Sequence, residues 1–152
     1  MTIEDDIAFF ERVPTLNMLG RPALRILAIG AESRYVHSGE VLFSAGDAAD
    51  SGFIVQEGTF SLTSRQEGGE ATVVGRGTLL GELALLTETM RPVTATANEP
   101  STVLRIPRTL FLKMLEGYPD AAKKLRDIIA SRTDQSTQEV YGVRSLIEGR
   151  RY

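Results

Sequence analysis

Residues 81 to 97 read Gly-Glu-Leu-Ala-Leu-Leu-Thr-Glu-Thr-Met-Arg-Pro-Val-Thr-Ala-Thr-Ala. The first six predict a short helix whose opening N–H groups lack partners inside the helix, and those donors, with the helix dipole, favour an anion such as phosphate. Gly81 permits close approach of a ligand to the backbone. Glu82 places an acidic acceptor at the helix start, and Arg91 supplies a guanidinium fork nine residues later. From Val93 to Ala97, small apolar residues alternate with Thr, the period of a strand. An acceptor for hydroxyls and a fork for phosphate therefore converge on one small site.

Outward from this stretch, the region 34 to 106 consists of short β-branched and aromatic runs punctuated by Gly-containing turns, which predicts a β-sandwich or jelly roll. Strands are expected at Arg34 to His37, Glu40 to Phe43, Gly52 to Gln56, Thr59 to Ser64, Ala71 to Arg76, Val93 to Asn98 and Thr102 to Ile106. Gly46 to Asp50 reads as a turn-rich link and Arg65 to Glu70 as a polar hairpin tip. About eight strands result, interrupted once by the helix after Gly81.

Both ends read as helical. Thr2 precedes acidic residues, and Ile7, Phe10 and Val13 recur at helical spacing before Pro14. A second helical stretch, Leu16 to Ala31, restarts at Gly20-Arg21-Pro22. After Pro107, helices are expected over Arg108 to Leu115 and Ala121 to Arg132, with a third pattern carried by Val140, Val143 and Ile147. The expected organisation is one domain over 1–152: helices at 1–33, a β-barrel at 34–106 and C-terminal helices at 107–152.

Composition narrows the chemistry. A chain of 152 residues with 42% hydrophobic and 24% charged content has a soluble composition and suits one core. The formal net charge of −3 gives no basic field for nucleic acid or an anionic membrane. With no cysteine, disulfides and thiol catalysis are excluded. His37 is the one histidine and has no second His or Cys with which to share a metal, so no metal site is expected. No nucleophile is paired with a base, and an enzyme is not expected. No apolar run approaches the roughly 18 residues of a membrane span, and a cytoplasmic location is the expectation.

The segment 81–94 resembles the phosphate-binding cassette of cyclic nucleotide-binding domains, in which Gly-Glu-x-Ala-Leu precedes a short turn, an Arg, and a strand. Gly81, Glu82, Ala84, Leu85, Arg91 and Thr94 match it without a gap. Gly39-Glu40-Val41-Leu42, Gly46-Asp47 with Ala49-Asp50, and Phe53-Ile54-Val55 with Gly58 resemble the turns of the same family, so the similarity covers about residues 13 to 130. It implies an eight-stranded jelly-roll barrel with flanking helices, like the sensor domain of catabolite-activator proteins. It also implies roles: Glu82 accepts from a ribose 2′-hydroxyl, Arg91 pairs with the cyclic phosphate, and the N–H groups of Leu83 and Ala84 complete that site, with Gly81 and Thr94 beside them. Tyr141 stands, by position alone, where the family places a residue over the base, and packing is the commoner role for such a tyrosine.

One departure bears on affinity. Met90 precedes Arg91 and Pro92 follows it, where the family has Pro before and Ser, Thr or Ala after. Proline has no N–H to donate. Loss of one charge-assisted bond costs about 1.5–3 kcal/mol, roughly ten- to a hundredfold in affinity. Guanine-preferring members place Thr after the Arg; Pro92 removes that cue without supplying an opposite one, and the expectation is cyclic AMP ahead of cyclic GMP. The implied function is a sensor signalling through its C-terminal helices, which would contact a homodimer partner or a separate effector. The alternative is an interaction or dimerisation module that keeps the fold without the ligand. A DNA reader is not expected, because only about 45 residues follow Ile106 and the barrel needs them as flanking helices.

Overall fold

The computed structural model describes residues 2–64 and 71–128. It opens with helix α1 (Ile3–Phe10), begun by a reciprocal cap: the Thr2 hydroxyl accepts from the Asp5 N–H, and the Asp5 carboxylate accepts from the Thr2 N–H, each at 3.1 Å. Glu4, Asp5 and Asp6 in the first turn suit the positive end of its dipole. A 3-10 turn (Leu16–Met18) leads to α2 (Arg21–Gly30), which starts where Pro22 is tolerated because a first-turn N–H has no partner to lose. Arg21 bridges Glu11 at 2.7 Å and Glu4 at 3.0 Å, tying the solvent faces of the two helices.

Ten strands follow: β1 (Glu32–Val36), β2 (Val41–Phe43), β3 (Ala48–Ala49), β4 (Ser51–Glu57), β5 (Phe60–Ser64), β6 (Thr72–Val74), β7 (Leu79–Leu80), β8 (Thr89–Met90), β9 (Val93–Ala97) and β10 (Ser101–Pro107). They form two four-stranded antiparallel sheets, in the orders β1-β10-β4-β7 and β2-β9-β5-β6, and a small β3-β8 ribbon. The jelly roll expected from the sequence is thus present as two sheets, with no closed barrel among the described residues. Three of the ten strands fall outside the expected ranges: β3 in the Gly46–Asp50 link and β8, which pair Ala48 with Met90 and Ala49 with Thr89, and β7, which adds an edge to β4. Two-residue strands carry no period, so pairing alone creates them.

Two apolar clusters explain the layering. Side chains alternate across a strand, and β4 is buried on both faces: Phe53 and Val55 point between the sheets, whereas Ile54 points to the helices. Between the sheets lie Val36, Leu42, Phe43, Phe60, Leu80, Ala95 and Val103. Outside the first sheet, Ile54, Leu104 and Ile106 pack with Ile7, Phe10, Leu16, Leu24 and Leu27 of the N-terminal helices. Phe111 and Met114 of α3 (Arg108–Gly117), and Ala121 and Leu125 of the helix over 119–128, complete that layer. Gly30 allows α2 to approach α3, because a Cβ there would meet Leu110 at 2.7 Å. Among the described residues, no helix is long and apolar enough to cross a membrane.

The expected C-terminal helices are present as far as they are described. The pattern at Val140 to Ile147, and Tyr141 with it, lies outside the described residues, as does the hairpin tip at 65–70.

Candidate functional site

The six-residue helix expected after Gly81 is instead a 3-10 turn (Leu83–Leu85) between β7 and β8. Gly81 has φ +82°, outside the right-handed helical region, so the helical backbone begins only at Glu82, and i→i+3 bonds tighten it into a single short turn before β8 at Thr89. The turn is anchored from below: Ala84 and Leu85 are each 1% exposed, and Leu85 belongs to the cluster that holds the helices. The Ala84 N–H donates to the Gly81 carbonyl at 3.0 Å and the Leu85 N–H to the Glu82 carbonyl at 3.1 Å. In this arrangement the Ala84 N–H is therefore engaged within the turn.

Arg91 follows β8 directly. Its backbone extends the ribbon, with its N–H donating to the Asp47 carbonyl and its carbonyl accepting from the Gly46 N–H, both at 2.8 Å. The side chain turns inward and is only 6% exposed. The guanidinium lies over the Phe43 ring, 4.4 Å from its centroid, and 5.4 Å from that of Phe53; the two rings stack at 5.9 Å. Nη2 donates to the Ser51 hydroxyl at 3.4 Å, while Nη1 is buried with no hydrogen-bond partner. Gly81 makes the space: a Cβ on it would collide with Nη1 of Arg91. Glycine here thus serves both the positive φ and the close approach of the cation.

Electrostatically, the site is a cation held at a cost. Burial pulls the Arg91 guanidinium down to about 10, opposed chiefly by the negative charges of Asp50 and Asp47, and it remains charged at neutral pH. Asp50 is in turn held below the usual carboxylate range, first by a hydrogen bond with the Ser51 side chain and then by Arg105. Arg105 continues the chain of charges to Glu32 at 2.9 Å. An exposed, half-neutralised acid on one side and an unpartnered N–H on the other leave Arg91 able to accept a further anion.

The remaining expected residues divide. Thr94 lies on β9, where its hydroxyl accepts from the Ala45 N–H at 2.8 Å and fixes the loop that leads to Asp47. Pro92 forms the bend between β8 and β9. Glu82 is half-buried, and its carboxylate accepts a hydrogen bond from the hydroxyl of Thr15 in the N-terminal helical layer. The structure thus places Gly81 and Arg91 in contact and ties Glu82 to Thr15 of the N-terminal segment.

Several participants escaped the sequence reading. Phe43 and Phe53 read only as strand core, and nothing local marks two rings on different strands as a bed for a cation. Asp50 was visible only as part of a turn-rich link, and Ser51 fell between that link and the next expected strand. Arg108, at the start of α3, sends Nη1 to the carbonyls of Ala49 at 3.0 Å, Thr87 at 3.2 Å and Ala84 at 3.4 Å, which clamps the end of the turn to the helix. Its signal was its place beside Pro107, too common a setting to be read as a clamp.

Comparison with known proteins shows the family and the fold. Residues 33–118 match the model of the cyclic nucleotide-binding domain. The chain is 35% identical over 119 residues to the lysophospholipase NTE1 of Chaetomium globosum, covering 76% of this chain and 8% of that protein. The corresponding protein of Pyricularia oryzae is 38% identical over 100 residues, 64% of this chain and 7% of its own length. The chain thus spans less than a tenth of these curated relatives. A solved cyclic nucleotide-binding-like protein from Brucella abortus is 36% identical, with a TM-score of 0.66 over 74% of this chain and 98% of that one. The N-terminal domain of a transcriptional regulator from Streptomyces coelicolor is 25% identical, with a TM-score of 0.76 over 88% and 97% of the two chains.

Proposed function

The chain belongs to the family of cyclic nucleotide-binding domains, and on that premise we propose that it is a regulatory sensor that takes a cyclic nucleotide at residues 81–94, cyclic AMP ahead of cyclic GMP, and has no catalytic activity of its own. The observation that carries this reading is Arg91: a buried guanidinium on two aromatic rings, with Nη1 unpartnered beside Gly81. A buried cation with an open donor is unfavourable until an anion arrives, and a cyclic phosphate matches both its charge and its fork. Glu82 would take a sugar hydroxyl, and the N–H groups of Leu83 and Ala84 would turn to the phosphate once the 3-10 bond from Ala84 to Gly81 opens. Leu85 and the Arg108 clamp would carry that movement into α3, because both belong to the turn and to the helical layer at once. The C-terminal helices would then present a changed surface to a second copy or an effector.

Calorimetric titration of cyclic AMP, then cyclic GMP, into protein refolded free of nucleotide tests this. Saturable binding is expected, reduced at least about tenfold to a hundredfold in Arg91→Ala. Undiminished affinity in that variant would remove the site.

A second reading, an interaction module that keeps the fold without the ligand, is favoured by Pro92, which offers no N–H, and by the engagement of the Ala84 N–H within its turn. It predicts no heat with either nucleotide at millimolar concentration.

A further inference from the structure

Thr15 sits between α1 and α2, and its hydroxyl is bonded to the Glu82 carboxylate across 67 positions of sequence. It is 5% exposed and has φ +81° and ψ −49°. Among the described residues it is the one non-glycine residue with positive φ, a strained conformation for a β-branched side chain. The strain is held from both sides: Val13 and Leu16 are fully buried, and the Asn17 N–H donates to the Val13 carbonyl at 2.9 Å. Backbone strain of this kind persists where the surroundings over-determine it, and here the surroundings include the cassette acid.

We propose that Thr15 is an internal stand-in for the sugar hydroxyl of the ligand and competes with it for Glu82. The inference rests on the cyclic nucleotide reading given above. A threonine hydroxyl and a ribose 2′-hydroxyl make the same O–H donation to a carboxylate, so one can replace the other without changing the charge of the site. In the state described here Thr15 holds Glu82 and docks the 3-10 turn Leu16–Met18 and the N-terminal helices against the cassette. A nucleotide that takes Glu82 releases Thr15 from its hydrogen bond and its strained φ, so the N-terminal layer responds to the ligand as well as the C-terminal one. Apparent affinity is lowered by the fraction of molecules in which Thr15 occupies the acid. A ligand without the 2′-hydroxyl makes no claim on Glu82 and is indifferent to Thr15.

The test compares cyclic AMP with its 2′-deoxy analogue on three folded proteins: wild type, Thr15→Val, which deletes the hydroxyl but keeps the branched side chain, and Thr15→Ser, which keeps the hydroxyl. Cyclic AMP is expected to bind Thr15→Val about tenfold more tightly than wild type, the 2′-deoxy analogue within about twofold, and Thr15→Ser as wild type does. Wild-type binding with no change in the ratio of the two ligands in Thr15→Val overturns the role of Thr15 and leaves the nucleotide reading standing. Absence of binding to all three proteins overturns both together. Hydrogen exchange on the wild type covers the case in which Thr15→Val does not fold. Residues 13–19 should exchange faster when saturated with cyclic AMP than with the 2′-deoxy analogue, and equal exchange rejects the proposal.

Discussion

Arg91→Met should make the ligand-free protein more stable while weakening its binding of cyclic nucleotide at least about tenfold. Burial lowers the guanidinium to about 10, which corresponds to about 3 kcal/mol for holding it as a cation in the fold. Against this stands its attraction to the Phe43 and Phe53 rings, worth about 1–2 kcal/mol. The 3.4 Å hydrogen bond to Ser51 is long and adds little. Methionine preserves the aliphatic packing and the contact with both rings, so the variant should gain about 1–2 kcal/mol, or about 2–8 °C in melting temperature. Scanning calorimetry of nucleotide-free protein measures it directly. The pH dependence follows from the sign: a base lowered by folding destabilises the fold while it is charged and ceases to do so only as pH rises through its folded value. The gap between variant and wild type should therefore hold from pH 6 to 9 and narrow above about pH 10. A melting temperature below that of the wild type would refute the reasoning, because it would make the guanidinium a net structural asset rather than a charge held ready for an anion.

Two further outcomes follow from the same geometry. Gly81→Ala combines a positive φ of +82° with a Cβ that collides with Arg91 Nη1 and lies 3.1 Å from the Ser51 carbonyl; it should lower stability by about 1–3 kcal/mol and weaken cyclic AMP binding, read by denaturant titration and calorimetry. Asp50→Asn removes a carboxylate whose folded value is lowered by Ser51 and Arg105, so its loss should cost up to about 1 kcal/mol near neutrality. That difference should fade as pH falls below the usual carboxylate range and through the lowered folded value of Asp50, because the wild type then loses the charge that Asn never has; melts across pH measure it.

The order of elements was legible because it depends on local pattern. β-branched and aromatic runs such as Gly52 to Gln56 marked strands, Ile7, Phe10 and Val13 marked a helix, and Pro22 and Gly58 marked boundaries, each within a window of a few residues. Ala48–Ala49 and Thr89–Met90 carried no such pattern, so the ribbon that positions Arg91 was invisible until its strands met. The helix after Gly81 was legible, but its length and type were not: propensity across Glu-Leu-Ala-Leu-Leu favours six α-helical residues, whereas the backbone tightens into a 3-10 turn over Leu83–Leu85.

By itself, the sequence determined the strand-rich middle, the helices on either side of it as far as they are described, and the segment that resembles a phosphate-binding cassette, because side-chain period and the spacing of Gly81, Glu82 and Arg91 are written along the chain. Only the tertiary structure decided what those residues touch. Arg91 rests on Phe43 and Phe53 from two different strands, Arg108 clamps a turn more than 20 positions away, and Glu82 is held by Thr15 across 67 positions. Burial of a charge, the strain at Thr15 and the partners of a carboxylate are properties of neighbours brought together by packing, and no local window of sequence contains them.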